Sequence, residues 1–169
     1  MNRLISFGAA AAMVGGILRI IAAFIPYTAD SAGLEMLYGV IDLGFLFGLL
    51  ALYIVTADML GRTGFIFALV SLAAIASIVG PDAKMFGIDF YWGGASLFSL
   101  GLAGLSVVLI RVKYFIWPAR LWIGSLGLGL LALSGSTTAF AAAGALLGAG
   151  FAVAGLSLMR RLPPAAPLA

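Results

Sequence analysis

An all-α integral membrane protein, a bundle of six transmembrane helices, is the fold this sequence predicts, and three observations predict it. Of 169 residues, 64% are hydrophobic and 9% charged. Soluble domains carry about 25% charged and 45–50% apolar residues, so most of this surface has to face lipid. The apolar residues fall into six runs, at about 5–25, 35–56, 63–80, 90–110, 117–135 and 138–159, separated by turn-forming sequence. Each is near the ~20 residues that a crossing needs. Finally, basic residues gather on alternate loops.

The first run opens with Arg3 and is rich in small residues, features shared with a cleaved leader. Arg19 interrupts its apolar stretch and no Ala-x-Ala site follows closely, so the run is read as a span. Its end at Ile25-Pro26-Tyr27 combines a proline with a change of polarity. The second run, starting at Glu35, stops at Asp58-Met59-Leu60-Gly61-Arg62, and the third stops at Gly80-Pro81-Asp82. Trp117-Pro118 marks the start of the fifth and Ser134-Gly135-Ser136 divides it from the sixth. Residues 1–161 then form one domain, and 162–169, with three prolines, a frayed tail.

Seven basic residues (Arg3, Arg62, Arg111, Lys113, Arg120, Arg160 and Arg161) lie on one side of this layout against Asp58 alone. The other side has Asp30, Glu35, Asp42, Asp82 and Asp89 against Arg19 and Lys84. Positive charge near span ends stays in the cytoplasm. Both termini are therefore expected there, in the plasma membrane of a bacterial cell (its inner membrane), which requires an even number of spans.

Arginines open the odd runs at Arg3, Arg62 and Arg120, and Ala-Gly-Leu-Ser recurs at 103–106 and 154–157, with Gly48-Leu49-Leu50-Ala51-Leu52 at a similar place. These echoes predict three successive helical hairpins. Small residues let helix backbones approach in lipid. Gly8, Ala12, Gly15 and Arg19 fall on one face of the first helix, Arg120, Gly124, Gly127 and Ser134 form a similar stripe, and Gly144, Gly148 and Gly155 another. Such stripes predict packing within the chain or against a partner.

Function classes narrow quickly. The chain has no Cys and no His, which removes disulfides and the commonest metal ligand, so neither a metal nor a cofactor is expected. Nothing forms a nucleophile-with-base pair or a phosphate-cradling loop, so the reading is a non-enzyme without catalytic residues. The net charge of +3 is dispersed over helix ends, which speaks against nucleic acid. Partners are then the lipid bilayer, a small solute or ion, and a membrane protein or second copy.

The charges inside the apolar runs carry the remaining information. Arg19 lies six residues before Ile25 and Asp42 seven after Glu35, so antiparallel neighbours hold them at nearly one depth, about 10 Å inside the outer end. An unpaired charge there is costly. The two are expected to form an interhelical ion pair. Glu35 and Tyr38 share the face of Asp42, while Asp89 and Trp92 lie at the outer end of the fourth run. Together these six predict an outward polar pocket that binds or transports a small solute or ion. The competing expectation is a non-catalytic partner subunit (an assembly, stabilising or immunity-type protein) in which Arg19 and Asp42 only fix helix register. Tyr91, Trp92, Trp117 and Trp122 are expected as an interfacial belt.

Overall fold

A computed structural model describes residues 2–26, 28, 31–79, 84–85 and 88–161. The expected tail 162–169, the turn at 80–82 and Asp30 lie outside the described residues. Five helical elements make up the fold: α1 (Asn2–Ala22), α2 (Ala32–Ile78), α3 (Phe90–Arg111), α4 (Ile116–Ala132) and α5 (Thr137–Arg161). Two short strands, β1 (Lys84–Met85) and β2 (Ile88–Asp89), pair antiparallel ahead of α3. Four helices (α1, α2, α3 and α5) are long and apolar enough to cross a membrane, as a multi-pass helical membrane protein requires. At 17 residues α4 is shorter than the fifth run expected over 117–135.

The 47 residues of α2 are two helices joined across a kink at Gly61, with φ 58° and ψ −170°. Only glycine adopts that backbone at little cost. Tyr53 and Phe65, twelve residues apart, would stand about 18 Å apart along a straight helix. Their ring centroids are 6.1 Å apart, so the chain doubles back at Gly61. The sequence placed a break here, and the break is present.

Each arm of α2 packs antiparallel on a neighbour. Gly8 sits against Phe47 and Ala51, Ala12 against Gly48, and Gly15 against Gly44, so the predicted stripe of α1 faces the arm before Gly61. Gly94 meets Ser77 and Ile78, Gly101 meets Ser71, and Gly104 meets Phe67, which lays α3 along the arm after Gly61. Between α4 and α5 the Ser125 hydroxyl donates to the Ala143 carbonyl at 2.8 Å. Finally α5 closes onto α1: Gly16 lies on Gly148 and Ala152, and Gly155 on Ala9 and Met13, backbone against backbone. Contacts between α3 and α4 complete the ring.

The core lies where the first arm of α2, α3 and α5 converge. Phe45, Phe98 and Phe151 stack there, with ring centroids 4.0–6.4 Å apart and interplanar angles of 14–19°. They recur every 53 residues, within Phe45-Leu-Phe-Gly-Leu-Leu-Ala-Leu52, Phe98-Ser-Leu-Gly-Leu-Ala-Gly-Leu105 and Phe151-Ala-Val-Ala-Gly-Leu-Ser-Leu158. Leu52, Leu105 and Leu158 are buried alike. Its period differs from that of the predicted repeat, whose paired Ala-Gly-Leu-Ser segments are out of the ring register by two residues. Arginines at span ends follow loop length, whereas the rings follow the packing. Arg120 is the fifth residue of α4, unlike Arg3 at the start of α1 or Arg62 just beyond the kink.

Two expectations are corrected. Trp122 is only 2% exposed and packs on Phe151 at 5.1 Å, so it belongs to the core and not to an interfacial belt. Trp117-Pro118 does not break the chain; Pro118 sits in the first turn of α4, where a missing N–H is harmless. The break is at 112–115, where the Tyr114 N–H donates to the Leu109 carbonyl and the Lys113 N–H to that of Ile110. Lys113, at φ 57°, holds the left-handed position of this helix-ending motif, which glycine usually takes.

Candidate functional site

The predicted ion pair does not form. Asp42 is 8% exposed, and among the described residues its carboxylate has no hydrogen bond and no cation within 4.0 Å. Arg19 acts on it only over a longer range. The depth argument itself holds, because Gly15 faces Gly44 and the Ile41 carbonyl, which puts Arg19 and Asp42 at similar heights. What spacing alone does not supply is the direction taken by a long side chain. The Arg19 guanidinium extends to the Tyr38 ring, 5.4 Å from its centroid, and lies against the bare backbone of Gly144 on α5. A cation over an aromatic face keeps favourable electrostatics while its aliphatic stem packs on apolar neighbours.

Gly144 has a definite purpose here. A Cβ on it would stand 3.0 Å from Arg19 Nη2 and 3.2 Å from Cζ, so even alanine would push the guanidinium aside by a few tenths of an ångström. The sequence reading had assigned this glycine to helix packing alone. Arg19, Tyr38 and Asp42 thus form a polar cluster where α1, the first arm of α2 and α5 meet.

The other predicted site residues stand as follows. Glu35 is exposed in the first turn of α2. Trp92 is 65% exposed on α3. Asp89 belongs to β2, where its backbone pairs with that of Lys84. Among the described residues, no three acidic groups gather as a metal site.

A second polar site opens near the other end of α5. It is a cavity of about 380 Å³ between the start of α4 and the end of α5, lined by Lys113, Trp117, Pro118, Arg120, Ser157 and Arg161 among others. From Gly144 to Arg161 is about 25 Å along α5, so the two sites occupy opposite ends of the bundle. Basic loop residues were legible in the sequence as topology signals. Their convergence was not, because it depends on the turn at 112–115 and on how α4 lies along α5. Comparison with protein-family models, curated proteins and solved structures finds no match.

Proposed function

We propose that this chain is a six-span membrane protein with both termini in the cytoplasm that binds, or carries across the membrane, a small solute or ion through the polar cluster formed by Arg19, Tyr38 and Asp42. The six spans rest on the reversal at Gly61, which divides a helix too long for one crossing, and on counting the short α4 as a crossing. The orientation rests on the seven basic residues of one side. One observation carries the site: an aspartate only 8% exposed whose carboxylate makes no hydrogen bond among the described residues, beside an arginine drawn onto a tyrosine ring. Structural buried charges are normally paired, and an unpaired one inside a membrane bundle marks a place for a ligand. A solute with a cationic group would complete Asp42, and any anionic group on it would meet Arg19.

Thermal shift in detergent tests this with a panel of monovalent cations, amino acids and other zwitterions, on the native chain and Asp42→Asn. A ligand that raises the native midpoint and not that of Asp42→Asn supports the proposal. No shift from any of them favours the partner-subunit reading. One specific observation already leans toward that second reading: a Cβ on Gly127 of α4 would meet nothing within 4 Å, so this part of a small-residue stripe is uncovered. Cysteine crosslinking at Gly127 in membranes distinguishes the two, since a partner helix on that face gives a discrete crosslinked species.

A further inference from the structure

We infer that the cavity between α4 and α5 binds a phosphate-bearing anion. Lys113, Arg120 and Arg161 border one space of about 380 Å³, and among the described residues no carboxylate lines it. Like charges around a concavity repel one another, and an anion among them removes that cost while gaining three attractions. The chain otherwise keeps these arginines on aromatic faces. Arg161 lies 3.9 Å from the Tyr114 centroid and 5.2 Å from that of Phe115, and Arg120 lies 5.3 Å from that of Trp117. Those contacts hold the guanidinium planes at the rim without using up their N–H donors, which stay available to phosphate oxygens.

The backbone adds to the same field. Phe115 caps α4 in the left-handed region, at φ 49° and ψ 41°, and no side chain caps that end. A free helix N-terminus presents N–H groups and the positive end of the helix dipole, both of which favour phosphate. Ser157 of α5 also lines the cavity. Two left-handed non-glycine residues within one four-residue turn, Lys113 and Phe115, bring the lysine and the α4 terminus together. Strained backbone of this kind collects at binding sites.

Phosphate reaches such a cavity from a lipid headgroup or from solution. Trp117, 68% exposed at the rim, is the side chain expected where headgroups meet acyl chains. The test therefore has two arms on the full-length protein in detergent. One compares short-chain phosphatidylglycerol with phosphatidylcholine of the same chain length; the other compares inorganic phosphate with sodium chloride at equal ionic strength. Binding is read from the thermal midpoint and from lipid retained in native mass spectrometry.

Preference for phosphatidylglycerol identifies a lipid site, and a phosphate-specific shift identifies a site open to solution. Removing one cation, as in Lys113→Gln or Arg161→Gln, should weaken binding about 5-fold, and removing both about 30-fold. The charge-keeping pair Lys113→Arg with Arg161→Lys should restore most of it. If the glutamine variants do not fold, a salt titration of the native protein decides, because binding of this kind falls as salt rises. Equal retention of both lipids with no effect of phosphate overturns the inference. So does binding that ignores these substitutions or the salt.

Discussion

The seam between α1 and α5 and the outer face of α4 have the same sequence signature and opposite surroundings. Gly16, Gly148 and Gly155 bring two backbones into direct contact, and a Cβ at any of them would strike main-chain atoms of the other helix. Gly127 and Gly129 would meet nothing. Small residues at helical spacing therefore report that close approach is permitted, and only a facing helix converts permission into packing. The lesson concerns energy as much as geometry. Lipid supplies no hydrophobic drive for helices to associate, so the seam depends on dispersion between matched surfaces and has no tolerance for added volume.

The largest expected effect comes from filling the seam. Gly16→Leu should abolish the folded monomer, seen as loss of a monodisperse peak in size exclusion, because backbone has to move and the penalty exceeds the ~1–3 kcal/mol of ordinary overpacking. Next is the core that the seam encloses. Phe151→Ala removes a ring packed on Phe45, Phe98 and Trp122, and should cost on the order of 3 kcal/mol in denaturant-monitored stability. A smaller loss, about 1 kcal/mol, is expected for Ser125→Ala, which deletes the hydrogen bond from α4 to α5. The smallest change should be Gly127→Ala, neutral or stabilising by up to ~1 kcal/mol through helix propensity. If Gly127→Ala destabilises the protein in membranes as strongly as Gly16→Leu does, the outer face of α4 is covered after all and the contrast fails.

Much of this architecture could be read from residue order because lipid imposes a length on every span, and α1, α3 and α5 have that length while α2 breaks at Gly61. Gly61 was legible as a break for a related reason: a charged, glycine-containing pentapeptide between apolar runs has to lie outside the hydrocarbon. The stripe Gly8, Ala12 and Gly15 gave its own face correctly, since helical periodicity fixes azimuth on one helix. Which helix covers that face is a tertiary fact, and the stripe of α4 shows how the inference fails. Trp122 was misplaced because an indole suits an interface and a core equally well, and neighbours such as Phe151 decide.

At the candidate site, depth was legible and contact was not. Counting residues from the helix ends placed Arg19 level with Asp42, yet the guanidinium lies on Tyr38 and Gly144. Attraction between charges competes with a cation–aromatic contact and with the space a glycine leaves, and a one-dimensional reading weighs only the first. The 53-residue recurrence of Phe45, Phe98 and Phe151 is present in the sequence, but among so many apolar residues only the ring stacking distinguishes it.

Those three rings lie across the middle of the bundle, between the Arg19 cluster and the basic cavity, with the buried leucines 52, 105 and 158 beyond them. Stacked in this way, the three rings tie the first arm of α2, α3 and α5 into one close-packed unit, so a shift of any one helix presses on the other two.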